Sequence, residues 1–297
     1  MPVRLDDDGR RSIHAEVEVP GTQEEVWRAV ASGPGVSSWF VPTELEERVG
    51  GREVAHFGPG MDGVGVITVW EPPRLYISDR GEEGSPHSPK HMAEWTVDPR
   101  DGGGCTVGVV HRWVADGPQW DEYFESVEKG WLGFFRILRL YLTHFRNQSC
   151  TPVQLVAMTA GQSSTAFDAL TGPLGFAGAV AGQQVHSTSG SPSLGGIVEE
   201  VGSPEKAEDL IVRLNDPSPG IAHLAAYQMG DSVYMAANLY LYGDQAAATA
   251  ANLEPQMQAW IAERFPAPAT AEVIEPQVEA MMAERLQAPE PESPASG

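Results

Sequence analysis

Two histidines, His56 in "GREVAHFG" and His111 in "CTVGVVHRWV", lie in β-branched and aromatic runs. An imidazole in such a run could be an acid, a base or a hydrogen-bond partner for a bound molecule. The commoner reading is a core histidine held by a backbone group or a carboxylate. Around them stand six large aromatic residues: Trp70, Trp95 and Trp113 in strand-like runs, and Trp131, Phe134 and Phe135 in a helical one. These could stack on a flat ligand, or simply pack a core, and the two uses are compatible. Tyr123 could present its hydroxyl at a cavity mouth, as could Arg112 if it faces inward. Glu94, beside Trp95, is expected outward by alternation. Asp121 and Glu122 suit the first turn of a helix for electrostatic reasons alone.

What is missing narrows the chemistry. There is no Gly-x-Ser-x-Gly elbow, no phosphate-binding Gly-x-x-x-x-Gly-Lys loop and no Gly-x-Gly-x-x-Gly after a strand. The two cysteines, Cys105 and Cys150, have no Cys-x-x-Cys spacing, and the histidines have no His-x-x-x-His spacing. No metal or other cofactor is expected, and no catalytic residue can be named. "GPGMDGVG", Gly58–Gly65, is glycine-rich but reads as a hairpin loop between strands.

The elements that would position these residues follow from periodicity. Ile13, Ala15, Val17 and Val19 alternate with His14, Glu16 and Glu18, a half-buried strand. Thr22 with Glu25 makes a capping box for a short helix bearing Trp27, which "SGPG" should break before "VSSWF" begins a second. About six short strands follow. The last should turn Cys105, Val107, Val109, His111 and Trp113 to one face, and the one before it Ala93, Trp95 and Val97; a bulge would reverse either. From Trp120, apolar residues recur every three or four positions to Phe145, a long helix.

The pattern then starts again. "PVQLVAMT" reads as a strand and "SSTAFDALTG" as a Ser-capped helix. "GQQV" at Gly182 and "GGIVEEVGSP" at Gly195 repeat "GREV" at Gly51 and "VGVITVWEPP" at Val64 with one common offset. Further strands lead to a helix that Asp244 is expected to cap. This is a degenerate tandem duplication. The expected division is 10–147, 151–266, and a Pro/Ala/Glu-rich tail, 267–297, expected to be disordered.

Taken in order, "VPGTQEEVWRAV", "WF", "ERVGGREV", "GVGVITVWEPPRL" and "EKGWLGFFRIL" resemble the SRPBCC (START-like, helix-grip) superfamily. Within it they are similar to bacterial relatives of the activator of heat shock protein 90 ATPase. The resemblance covers about residues 10–146, and the second half shares it faintly. It implies an α+β fold: a curved antiparallel sheet around a long C-terminal helix, two short helices closing one end, a cavity between, and two such copies in tandem. Cavity candidates are then His56, Trp70, Trp95, His111, Trp113, Tyr123, Trp131, Phe134 and Phe135. Trp27 is expected to be mainly a packing residue.

The formal net charge is −22, and residues 151–297 carry 17 acidic against 4 basic side chains. Such a chain repels phosphate backbones and anionic lipid surfaces, so no nucleic acid is expected as a partner. No run of about 20 apolar residues suggests a membrane span, and "MPVRLDDDGRRS" has no apolar core for a secretory signal. A soluble, cytoplasmic protein is expected. The first functional expectation is binding of a small apolar or aromatic ligand. The resemblance allows two others: a polyketide cyclase or hydratase-like enzyme, and a co-chaperone-like activator whose partner is a chaperone or other protein.

Overall fold

The computed structural model describes residues 4–5, 11–58, 62–80, 91–113, 121–202, 208–229 and 232–265, with side chains of 4, 5, 11, 121–129 and 229 excluded. The tail expected at 267–297 lies outside the described residues.

The first unit opens with β1 (Arg4–Leu5) and β2 (Arg11–Val19). Helix α1 (Gln23–Val30) follows; Thr22 and Glu25 form the expected capping box. The "SGPG" segment follows the end of α1 as expected, but it, and not "VSSWF", starts the next helix. Ser32 caps α2 (Gly33–Val36), with Pro34 in its first turn, where a missing N–H costs nothing. Six strands come next: β3 (Thr43–Leu45), β4 (Arg52–His56), β5 (Asp62–Glu71), β6 (Leu75–Arg80), β7 (His91–Pro99) and β8 (Cys105–Trp113). Helix α3 (Asp121–His144) closes the unit. All eight strands form one antiparallel sheet in the order β1-β2-β8-β7-β6-β5-β4-β3.

The second unit repeats the plan: β9 (Cys150–Ala160), α4 (Ser163–Thr171), β10 (Gln184–His186), β11 (Gly195–Val201), β12 (Glu208–Asp216), β13 (Gly220–Met229), β14 (Ser232–Tyr242) and α5 (Ala246–Arg264). Its sheet runs β10-β11-β12-β13-β14-β9. The caps differ from expectation. Gln162 and Gln245 hold the N-cap positions of α4 and α5, and neither side chain bonds the helix. Each unit is a helix-grip fold.

One core binds the units together. Trp131, Phe135, Leu138 and Leu142 of α3 pack with the inner face of the first sheet, and Ile211, Ile221, Tyr240 and Tyr242 of the second sheet join the same cluster. The helix is therefore covered on both sides. The second sheet is buried on both faces as well, since its inner face forms a separate apolar core with α4 and α5. Tyr242 fastens the joint. Its ring lies 4.2 Å from Phe145, nearly parallel, and its hydroxyl donates to the Ser38 carbonyl at 2.7 Å. Tyr234 donates likewise to the Phe57 carbonyl at 3.1 Å.

Tyr242→Phe leaves the ring in place but orphans a buried carbonyl, and should cost about 1–3 kcal/mol. Urea unfolding of the full chain measures it; an unchanged midpoint would show that this bond does not hold the units together.

Candidate functional site

Strand register lays the inner face of the first sheet out in rows. One row runs Glu53, Gly65, Arg80, His91 and Trp113 from β4 to β8; the next holds Ser78, Ala93 and His111; a third holds Trp70, Tyr76, Trp95 and Val109. Strand β8 alternates as expected, with His111 and Trp113 buried on the inner side. Strand β5 does not stay in phase. A bulge between Ile67 and Val69 shifts its register, so that Trp70 and not Val69 stands beside Tyr76.

The third row and α3 make an aromatic wall. Trp70 meets Trp27 at 5.2 Å and Tyr76 at 5.7 Å; Tyr76 stacks on Trp95 at 6.1 Å; Trp95 meets Trp131 at 5.1 Å. Trp131 reaches His111 at 5.3 Å, and His111 stacks on Trp113 at the same separation. Phe40 lies flat on Trp131 at 5.2 Å and edge-on to Phe134 at 4.5 Å. Such edge and offset contacts suit ring quadrupoles.

The polar rows are as buried as the aromatic one. Glu53 is 2% exposed and Arg80 is 8% exposed, and the Arg80 guanidinium donates to Glu53 Oε1. Gly65 lets them meet, because a Cβ there would stand 2.9 Å from Arg80 Cγ and 3.5 Å from Glu53 Oε2. Hydrogen-bonding capacity is left over. Glu53 Oε2, Trp95 Nε1 and both nitrogens of His111 are buried without a hydrogen-bond partner. Burial holds the His111 imidazole well below its ordinary value, and the charges of His91 and Arg80 push the same way. Burial, and then Glu53, push the Tyr76 phenol well above its own, so it stays protonated. The inner face thus offers a neutral imidazole, an indole donor and a carboxylate acceptor set among aromatic rings.

Of the nine residues expected at the cavity, the structure brings together Trp70, Trp95, His111, Trp113, Trp131 and Phe135; Phe134 sits at the edge of that cluster. His56 is elsewhere. Ala55 points inward, so alternation turns His56 outward, where its Nδ1 lies 2.9 Å from Asp62 Oδ1 and its Nε2 is 3.7 Å from Glu44 Oε1. The Tyr123 side chain lies outside the described residues. Arg112 faces outward and pairs with Glu94 at 2.9 Å. Trp27 is buried against Trp70 and Tyr76, a packing role. Sequence reading missed Glu53, Tyr76 and Arg80. Among the described residues no group of three or more His, Cys, Asp or Glu could hold a metal, and no helix is long and apolar enough to cross a membrane.

The lowered His111 value has a pH signature. The unfolded chain takes a proton there near 6.5, the folded chain does not, so the contribution of His111 is complete above that pH and is lost as pH falls below it. Between pH 7 and 5, wild type should lose up to about 1.4 kcal/mol per pH unit more than His111→Phe. Urea titrations at the two pH values measure the difference, and parallel losses in the two proteins would refute it.

A search of curated proteins finds no match. Among solved structures, the di-domain ARO/CYC BexL of the BE-7585A biosynthetic pathway is 12% identical, with 94% of this chain and 100% of that one covered, at a TM-score of 0.42. DynU16, a putative protein of the dynemicin biosynthetic locus, is 16% identical, with 93% of each chain covered, at 0.40. The Aha1 dimer from Colwellia psychrerythraea is 13% identical over 44% of this chain and 95% of its own, at 0.38. At such scores these likenesses carry no weight for function. Residues 21–143 match the family model described as Activator of Hsp90 ATPase homolog 1-like protein, a span that takes in α1, α2, β3–β8 and nearly all of α3. That match falls within the first helix-grip unit and is a similarity of that unit alone.

Proposed function

We propose that the first unit binds a small, flat aromatic molecule bearing a neutral polar group, between the inner face of its sheet and α3. One observation carries the reading: Glu53, Trp95 and His111 are buried on an aromatic wall with hydrogen bonds unmade. Leaving a buried polar group unsatisfied costs about 1–3 kcal/mol. A molecule that supplies the missing donors and acceptors offsets that cost, and its rings gain stacking contacts from Trp95 and Trp131. The polar group should be neutral, because Arg80 is already compensated by Glu53 and the spare acceptor is a carboxylate oxygen.

A second reading is supported by the state of His111. A neutral, buried imidazole beside a ligand can move a proton, which a cyclase or hydratase needs. The co-chaperone reading rests on the family description alone. A net charge of −22 argues against nucleic acid as the partner.

Isothermal titration with naphthalene, 2-naphthol and 2-naphthoate tests the main reading, since the three differ only in the polar group. We expect 2-naphthol to bind about tenfold tighter than naphthalene, the worth of one good hydrogen bond. Carboxylate repulsion by Glu53 should make 2-naphthoate the weaker of the two polar probes. Trp131→Ala should abolish binding and cost about 3–5 kcal/mol of stability. If none of the three binds to wild type, the reading fails.

A further inference from the structure

The two units place their polar groups on opposite faces. In the second, the inner face is apolar, with Leu210, Val212, Leu224 and Met235 packed on Met257 of α5. Its buried ionisable groups lie instead on the outer face, against α3. Asp209 is 1% exposed and His223 is fully buried. Arg136 of α3 reaches both strands behind it. One guanidinium nitrogen donates to Asp209 Oδ2, and Nη1 lies 2.9 Å from Glu200 Oε1. His223 Nε2 approaches the same Asp209 oxygen at 3.3 Å. Gly133, less than one turn earlier, stands over the pair: a Cβ there would lie 3.5 Å from Asp209 Oδ2.

Between these residues sits Phe134. Its ring is 6.0 Å from His223 on one side and 4.5 Å from Phe40 on the other, and Phe40 stacks on Trp131. About one and a half turns of α3, from Trp131 to Arg136, therefore carry the aromatic wall on one flank and a buried charge cluster on the other. Apolar contacts are non-directional and leave a helix free to settle at several rotations about its axis. A buried ion pair is directional, and it is costly unless its geometry is met.

We propose that Arg136 and Asp209 are positioning residues for the inner site of the first unit, and that the second unit serves to fix the rotation of α3. Trp131 and Phe134 then stand where the aromatic wall needs them, and filling that site is felt in β12 and β13. The proposal rests on the ligand-binding reading above, and linkage makes the coupling mutual.

Asp209→Asn in the full chain removes the charge and keeps the shape. Far-UV circular dichroism establishes folding; should the variant not fold, the charge-free pair Arg136→Met with Asp209→Leu replaces it. In the folded variant the near-UV tryptophan spectrum of the ligand-free protein should change, and 2-naphthol affinity should fall about fivefold or more. In wild type, 2-naphthol should slow hydrogen exchange in β12 and β13, across the helix from the site. An unchanged spectrum with affinity within about twofold overturns the proposal, as does protection confined to the first sheet and α3. If 2-naphthol does not bind wild type, the ligand reading falls by itself. The near-UV spectrum then decides positioning: a change upholds it, and no change overturns it.

Discussion

Helix α3 has to satisfy two sheets with one set of side chains. Its 24 residues turn Trp131, Phe135, Leu138 and Leu142 to the first sheet and Gly133 and Arg136 to the second. An amphipathic surface helix has one apolar stripe and one wet face. This helix has little of the second at its centre, and the rest of the molecule is arranged around that fact. The second sheet must be buried on both sides where it meets α3. Strand β13 is accordingly buried at every residue from Ile221 to Ala226.

Much of the first unit is legible in its sequence because local rules and packing agree there. Thr22 and Glu25 cap α1, and β8 alternates without a break from Cys105 to Trp113. The site is less legible, and strand β6 shows why. In "LYISDR" the apolar residues Leu75 and Ile77 are only half-buried, while Tyr76, Ser78 and Arg80 face inward. Hydrophobic alternation assigns that strand the wrong face. Glu53 is hidden in the same way, since a carboxylate in a strand is normally read as solvated. Places where polarity defeats the pattern are where function is expected, and Glu53 is one of them that also keeps a hydrogen bond unmade.

Other failures have simpler causes. The bulge in β5 turns Trp70 inward without a warning residue, although alternation from Ile67 would have chosen Val69. His56 was misplaced by a single step along its strand. The second face of α3 could not be read at all. Arg136 looks like any solvated arginine until Asp209, 73 residues away, is brought against it.

The two copies share a topology and divide the work that topology permits. A sheet that grips a helix can keep polar groups inside only if something else satisfies them; otherwise each one costs stability. The first unit keeps Glu53, Arg80 and His111 inside and leaves bonds of Glu53, Trp95 and His111 unmade. The second has an apolar interior and places its charges where α3 can meet them with Arg136. That exchange moves Asp209 and His223 of the second unit to its outer face. It also supplies the first with a rigid backing for its single long helix, so the asymmetry between the copies follows from one helix serving both.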